Sequence, residues 1–283
     1  MTTRRQVAIV TDSVSDLTSD VAAAHDITVV PLNVHFGDEV FRDQVDITTD
    51  QFMAKMGSSE KLPTTSQPSV GAFEAAFRAT GASEIVCTVV SSRLSGTMQS
   101  AQIAAQNLAG EIKVEVVDSF SASLGLGFQA LRAAELADAG QDASTIAQTL
   151  RNEIGRYYVV FFVETLEHLR RGGRIGKAAQ LVGSLLQLRP LLRVDEGQVV
   201  PYERTRTRSK AVQALIAFAK DEVVAEELAV LYNTTPDDAH ALAEQLAPIT
   251  PDRDVQIVQL GPVIDSHIGP DVLGVVVKAR NHE

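Results

Sequence analysis

The feature of this sequence that most constrains its fold is the alternation of short β-branched runs with longer segments of helical periodicity. In the first half, the runs lie at residues 7–10, 27–30, 85–90 and 114–117. Between two of them, Val70, Phe73 and Phe77 recur at the spacing of one helix face, and further helices are predicted at 121–139 and 143–156. Strands that alternate with helices are typical of a parallel sheet. The sequence therefore predicts an N-terminal α/β domain with a mostly parallel sheet flanked by helices.

The second half contains five further strand-like runs, but its pattern differs. The runs lie at residues 157–163, 191–194, 228–232, 255–260 and 272–277. The segment Asp195-Glu196-Gly197-Gln198 predicts the turn of a β-hairpin, which pairs two strands antiparallel. We therefore predict a C-terminal α/β domain with a mixed sheet. The expected domains are residues 1–155 and 156–283. No linker marks the boundary between them, and the two halves can exchange segments.

The composition narrows the classes of partner. The 283 residues carry a formal net charge of −11, whereas nucleic-acid-binding proteins need positive charge to neutralise phosphates. No apolar run approaches the roughly 18 to 20 residues that span a bilayer, and the first residues do not resemble a signal peptide. The single cysteine, Cys87, excludes an internal disulfide. We expect a cytoplasmic protein with no transmembrane segment and no nucleic-acid partner.

Two hydroxyl-rich segments, both predicted to be loops, stand directly before predicted helices. Residues 63–69 read Pro-Thr-Thr-Ser-Gln-Pro-Ser, and residues 91–97 read Ser-Ser-Arg-Leu-Ser-Gly-Thr. Hydroxyls beside the free N–H groups of a helix N-terminus can hold a carboxylate or a phosphate. Gly96 would let the backbone approach such a ligand closely. An ordinary helix cap is the simpler alternative, but it needs only one hydroxyl.

Familiar catalytic and metal-binding motifs are absent from the sequence. Asp12 and Asp16 are separated by three residues, whereas haloacid-dehalogenase-like phosphatases place one residue between their aspartates. Asp12 can equally cap a turn. The glycines of residues 170–177 lack the spacing of a P-loop, and no Gly-x-Ser-x-Gly, His-Glu-x-x-His or Cys-x-x-Cys pattern occurs. The sequence predicts no catalytic residue, no metal site and no cofactor.

Three arginines and one histidine are further candidates for function. Arg174 lies in a glycine-rich basic turn, and Arg204 and Arg206 lie in a basic run that ends at Lys210. Such a run in an acidic protein can steer an acidic partner, although it is commonly solvated surface. His267 lies in a segment bracketed by Gly-Pro pairs, which predicts a loop. Loops carry functional side chains more often than packed strands do, whereas a lone histidine is more often structural.

Taken together, these segments resemble the DegV family. The resemblance rests on six motifs that occur in the family's order over almost the whole chain, at residues 10–13, 63–69, 91–97, 169–175, 202–210 and 261–269. It implies two α/β domains with a long-chain fatty acid buried along their interface. The carboxylate of the fatty acid would be held by hydroxyls and by the late histidine.

The resemblance also implies roles for particular residues. The carboxylate-binding positions would be Thr64, Thr65, Ser95, Gly96, Thr97 and His267. Some family members present the bound acid to a separate ATP-dependent fatty acid kinase, so Arg174, Arg204 and Arg206 are candidate contacts to the kinase or to the acyl phosphate. The expected protein is a non-catalytic lipid-binding protein of phospholipid metabolism. Transient contact with a membrane surface is compatible with this role.

The sequence leaves two alternatives open. A stand-alone phosphoryl- or acyl-transfer enzyme would use Asp12 as nucleophile, with Ser95 or His267 assisting. A structural or regulatory interaction protein would use the basic run from Arg204 to Lys210 as its contact surface. A copurifying lipid would favour the fatty-acid carrier over both alternatives, and turnover without a partner would favour the enzyme.

Overall fold

The computed structural model describes residues 6–59, 61–181 and 189–280. The strands are β1 (Val7–Asp12), β2 (Ile27–Val30), β3 (Asn33–Phe36), β4 (Glu39–Arg42), β5 (Thr64–Ser66), β6 (Glu84–Val89), β7 (Lys113–Asp118), β8 (Tyr157–Phe162), β9 (Arg189–Asp195), β10 (Gln198–Thr205), β11 (Ala225–Tyr232), β12 (Gln256–Gln259) and β13 (Leu273–Ala279). The α-helices are α1 (Ser19–Ala24), α2 (Thr49–Ser58), α3 (Val70–Thr80), α4 (Thr97–Asn107), α5 (Leu124–Asp138), α6 (Ala143–Glu153), α7 (Glu167–Arg171), α8 (Arg208–Ala217), α9 (Pro236–Leu246) and α10 (Pro262–Ile268). In this part of the chain, no helix is long and apolar enough to cross a membrane.

The first sheet contains four parallel strands in the order β2-β1-β6-β7. Its strands are nearly continuous apolar runs because helices cover both of its faces. Phe73 and Phe77 of α3 and Leu108, directly after α4, pack on one face with Val10. Helices α5 and α6 pack on the other face. The predicted parallel sheet flanked by helices is confirmed.

The second sheet contains six strands in the order β10-β9-β8-β13-β11-β12. Strands β11 and β12 pair in parallel, and the other four pairings are antiparallel. The predicted hairpin joins β9 to β10, with Asp195 opposite Gln198. Glu196 and Gly197 form its turn with φ angles of 47° and 76°, as tight hairpin turns require. The predicted mixed sheet and its hairpin are confirmed.

Helix α5 lies between the two sheets and packs on both. It contacts β1 and β6 of the first sheet and β8 and β13 of the second. The approach is close, since a Cβ on Gly125 would lie 2.6 Å from Cγ2 of Val159. One apolar core therefore continues across both sheets. The first sheet ends by Asp118 and the second begins at Tyr157, and the domain boundary at 155/156 stays a prediction.

A third, small sheet corrects the prediction for residues 63–69. Three antiparallel strands are arranged as β4-β3-β5, and Thr65 of β5 lies opposite Val34 of β3. The sequence predicts a loop there, because three consecutive polar residues lack the alternation of apolar and polar side chains that indicates a strand. Ser69 is the ordinary helix cap, since its Oγ accepts a hydrogen bond from the Ala72 N–H at 3.1 Å. The threonines are therefore held by strand pairing rather than at the helix N-terminus.

The segment around His267 also differs from its prediction. It forms helix α10 instead of a loop. Pro262 occupies the first helical position, where its missing N–H is not needed. Gly269 ends the helix with a φ of 76°. The glycines and prolines of this segment mark the ends of a short helix, and the loop prediction is wrong.

Candidate functional site

A largely apolar cavity lies between the two sheets. It encloses about 900 Å³ of empty space, including the space at its opening to solvent. Its apolar lining comes from the second sheet, from α7 and α10, and from connecting segments that include those after β1, β2 and β6 of the first sheet: Val14, Leu32, Val90, Leu94, Ala122, Val159, Phe161, Leu169, Val194, Val199, Leu231, Leu260, Val263, Ile264, Ile268 and Val272. Its polar lining is smaller: Thr65, Ser66, Gln67, Ser95, Ser123, Arg174 and His267. An apolar cavity with a few polar groups suits a ligand with a hydrocarbon part and a polar end.

Strand β5 and helix α10 bring two of the predicted site residues together. The Thr65 Oγ1 and the His267 Nε2 lie 2.8 Å apart and share a hydrogen bond, although they are 202 residues apart in the chain. Thr65 lines the cavity, whereas the neighbouring Thr64 is exposed and is not among the lining residues. Successive side chains of a strand point to opposite sides. The structure thus separates two threonines that the sequence treats as equivalent.

Ser95 reaches the same cavity from the loop before α4. Its Oγ lies 2.8 Å from the Thr97 Oγ1 and accepts a hydrogen bond from the Thr97 N–H at 3.3 Å. Thr97 is fully buried and does not line the cavity. A Cβ on Gly96 would lie only 3.0 Å from the Gln67 Nε2. The two hydroxyl-rich segments of the sequence therefore meet, and Gly96 permits their close approach.

Arg174 is the one predicted arginine that lines the cavity within the described residues. Its Nε donates to the Leu94 carbonyl at 3.0 Å, and its Nη1 donates to the Gly172 carbonyl at 2.6 Å. Burial, together with the charge of Arg174, lowers the pKa of His267 to about 4. At neutral pH the site therefore combines a fixed positive guanidinium with an uncharged imidazole. This combination suits a carboxylate.

Arg204 and Arg206 lie elsewhere on the molecule. Arg204 is on β10, Arg206 follows that strand, and both are exposed. Neither is among the residues that line the cavity. Their assignment as partner contacts stays a prediction. Arg174 differs from them because it lines the cavity.

The enzyme alternative requires Asp12 to be an accessible nucleophile. Asp12 is fully buried, and its two carboxylate oxygens accept hydrogen bonds from the Val14 N–H at 2.9 Å and the Val90 N–H at 2.7 Å. Burial raises the pKa of Asp12 to about 7. Asp12 does not line the cavity. It caps the turn after β1 and ties it to the end of β6, an arrangement that does not support attack on a substrate.

Ser123 is a cavity residue that sequence reasoning misses. The sequence predicts a helix from residue 121, but α5 begins at Leu124, and Ser123 has a φ of 51° and a ψ of −146°. Its Oγ donates to Oδ2 of Asp16 at 2.6 Å. The sequence does not reveal Ser123, because its segment has a helical pattern. The unusual backbone conformation that marks it is visible only in the structure.

The described residues include no group of three or more His, Cys, Asp or Glu side chains that could hold a metal ion. Cys87 is fully buried in β6, and burial raises the pKa of its thiol.

Two α/β domains that share a largely apolar cavity with a few polar side chains are typical of the class of small-ligand-binding proteins. The sequence model of the DegV family, which is described as a family of uncharacterised proteins, matches residues 6–280. The chain belongs to the DegV family, and the resemblance found in the sequence is confirmed.

Known relatives are similar over their whole length. A DegV domain-containing protein from Streptomyces coelicolor is 38% identical over 282 residues, which cover 98% of this chain and 99% of that protein. A DegV family protein from Thermus thermophilus, whose structure was described for its fatty acid binding, has a TM-score of 0.88 at 37% identity, covering 98% of this chain and 100% of that chain. The Streptococcus pneumoniae fatty acid kinase B3 protein, solved with linoleic acid, has a TM-score of 0.84 at 21% identity, covering 97% and 99%. At that identity, the likeness concerns the fold alone.

Proposed function

We propose that this protein binds a long-chain fatty acid in the cavity between its two sheets. The observation that carries the proposal is the division of the cavity lining into many apolar side chains and a few polar ones. Four of the polar residues, Thr65, Ser95, Arg174 and His267, we call the head-group set. The fatty acid binding described for the Thermus thermophilus relative supports the same ligand class.

The hydrocarbon chain accounts for most of the expected affinity. Burial of a methylene is worth roughly 0.8 kcal/mol. A chain of about sixteen carbons therefore gains on the order of 10 kcal/mol before the costs of association. The apolar lining from β8 to β11 and α10 provides the surface for this burial.

The head-group set orients the ligand. The guanidinium of Arg174 supplies the positive charge, the hydroxyls of Thr65 and Ser95 donate hydrogen bonds to the carboxylate, and the neutral His267 orients the Thr65 hydroxyl through its Nε2. Gly96 and Thr97 act indirectly, because they shape the loop that presents Ser95. Thr64 is exposed, so we assign it no contact with the ligand.

The finer part of the proposal is that the bound acid is presented to a separate ATP-dependent kinase. Arg204 and Arg206 are exposed and apart from the cavity lining, which suits contact with a partner or with an acyl phosphate rather than with the bound carboxylate. In this role the protein itself is not an enzyme.

The first experiment compares wild type with Thr65→Ala and Thr64→Ala. Native mass spectrometry measures bound lipid, and denaturing extraction identifies it. We expect wild type and Thr64→Ala to retain a fatty acid and Thr65→Ala to retain less. An empty wild type that takes up no added palmitate would overturn the proposal.

A second experiment separates the carrier from the enzyme alternative. The palmitate-loaded protein is incubated with ATP, with and without a purified fatty acid kinase, and acyl phosphate is trapped with hydroxylamine. We expect hydroxamate only when the kinase is present. Hydroxamate formed by the protein alone would favour the stand-alone enzyme.

A further inference from the structure

Helix α10, which carries His267, is held by both halves of the molecule. At its C-terminal end, Nδ2 of Asn233, directly after β11, donates to Oδ1 of Asp265 at 2.9 Å and to the Gly269 carbonyl at 2.7 Å. At its N-terminal end, the contacts come from the first half of the chain. A helix of seven residues is not stable by itself in water. The position of α10 must therefore be set by these contacts.

Two buried aspartates bind the N-terminal end of α10. Oδ1 of Asp16 accepts a hydrogen bond from the Gly261 N–H at 3.0 Å, and Oδ1 of Asp43 accepts one from the Val263 N–H at 3.3 Å. These N–H groups have no partner within the helix. A carboxylate at this end also interacts favourably with the helix dipole. The two aspartates thus fix the first turn of α10.

Each of these aspartates is itself held from behind by a serine. The Ser123 Oγ donates to Oδ2 of Asp16, and the Ser13 Oγ donates to Oδ2 of Asp43, both at 2.6 Å. Asp16 and Asp43 are 2% and 1% exposed. Burial of carboxyl groups is unfavourable unless hydrogen bonds compensate for it. A chain that needed only a helix cap could use an exposed serine or threonine instead.

The contacts of His267 restrict the position of its imidazole. Its Nε2 is bonded to the Thr65 Oγ1 at 2.8 Å, and a Cβ on Gly172 would lie 2.3 Å from its Nδ1. A shift of α10 would therefore move His267 away from Thr65 or against the backbone of residue 172. Asp16 and Asp43 do not line the cavity themselves.

We propose that Asp16 and Asp43 are positioning residues for carboxylate recognition, because they hold α10 so that His267 stays within hydrogen-bond distance of Thr65 and orients the Thr65 hydroxyl toward the bound head group. This inference rests on the proposed function. It assigns to the two buried aspartates an effect on head-group selectivity rather than on retention of the hydrocarbon chain.

The test measures the dissociation constants of palmitate and of hexadecanol for wild type, Asp16→Ala, Asp16→Asn, Asp43→Ala and Asp43→Asn. The alcohol has the same chain length but no carboxylate. We expect the alanine variants to lose about tenfold of the preference for palmitate, as for loss of one hydrogen bond to a charged group, with little change for hexadecanol. The asparagine variants keep an acceptor for the helix N–H and should retain most of the preference. An alanine variant with the wild-type preference, or with equal losses for both ligands, would contradict the inference.

A spectroscopic readout separates positioning from loss of stability. In wild type, the NMR titration of His267, assigned with His267→Gln, should give a pKa of about 4. In the aspartate-to-alanine variants we expect that pKa to rise toward its ordinary value, because a displaced imidazole is less buried. An unchanged His267 titration in folded alanine variants would count against the inference.

A milder variant keeps the test decisive where the alanine variants do not fold. Ser13→Ala removes the hydroxyl behind Asp43, and Ser13 does not line the cavity. We expect a loss of about threefold in the preference for palmitate, and an unchanged preference would contradict the role of Asp43. A wild type that binds neither palmitate nor hexadecanol would instead overturn the proposed function itself.

Discussion

The apolar wall of the cavity and its head-group set are built in different ways. The wall uses ordinary core side chains on long strands, such as Phe161 on β8 and Leu231 on β11. The head-group set comes from a three-residue strand, a seven-residue helix and two connecting segments. Those short elements depend on tertiary contacts for their positions. The difference predicts that the wall contributes affinity for any long-chain lipid, whereas the head-group set contributes affinity for the acid alone.

The largest effect is expected from a bulky side chain added to the apolar wall of the cavity. Val194 lines the cavity from β9 and is only partly buried, so Val194→Trp can add volume without a buried clash on all sides. We expect the affinities for palmitate and hexadecanol to fall together by about a hundredfold, because several methylenes lose their buried surface. Fluorescence displacement of a bound lipid probe measures both.

The control for this variant is Val224→Trp, since Val224 is 66% exposed and lies outside the cavity lining. It should bind both lipids like wild type. A Val194→Trp variant that lost palmitate alone would show that this part of the wall recognises the head group.

A change in the head-group set should weaken binding of the acid much more than binding of the alcohol. Arg174→Gln removes the one cavity-lining guanidinium of the described residues, and we expect palmitate affinity to fall about thirtyfold while hexadecanol affinity changes less than about threefold. Isothermal titration with both ligands checks this ratio. Arg204→Gln makes the same chemical change at an exposed position and should leave both affinities unchanged. Equal losses for the acid and the alcohol in Arg174→Gln would break the proposed division of roles.

A smaller effect is expected from the packing behind the imidazole. Gly172 has a φ of −71°, so alanine is allowed by the backbone there, but its Cβ would lie 2.3 Å from the His267 Nδ1. We expect Gly172→Ala to displace the ring and to weaken palmitate binding about fivefold. Gly155→Ala is the matched control, because nothing lies within 4 Å of the added atom. Wild-type palmitate affinity in Gly172→Ala would mean that the imidazole tolerates the displacement.

The contrast between long strands and short elements also explains which parts of the structure the sequence predicts. The strands of both sheets and the hairpin at Glu196 and Gly197 are predictable because long runs and turn residues specify local structure. Strand β5 and helix α10 are not, since a short polar strand and a Pro-initiated helix share the composition of loops. The resemblance names Thr65, Ser95 and His267, but it does not distinguish Thr65 from Thr64. Only the pairing of β5 with β3 makes that distinction.

The last expected effect concerns stability rather than binding, and it tests whether the Asp43 carboxyl group that holds α10 is buried. Burial raises the pKa of Asp43 to about 6 from an ordinary value of 3.8. Between these values the folded protein keeps a proton on Asp43 that the unfolded chain releases, so the contribution of Asp43 to stability is largest below pH 4 and is lost as the pH rises through 6. Urea unfolding of wild type and Asp43→Asn between pH 4.5 and 7.5 measures this contribution together with its coupling to the buried Asp12, Asp16 and Asp265, whose pKa values the charge of Asp43 raises. We expect the stability of wild type relative to the variant to fall with rising pH, by at most about 1.4 kcal/mol per pH unit.

Asp46→Asn is the control for this measurement. The exposed carboxylate of Asp46 is paired with Arg42, which lowers the pKa of Asp46 to about 2, so its contribution to stability should be constant over this pH range. A flat difference for Asp43→Asn would show that water reaches the carboxyl group, and that the N-terminal end of α10 is less firmly enclosed than the end held by Asn233.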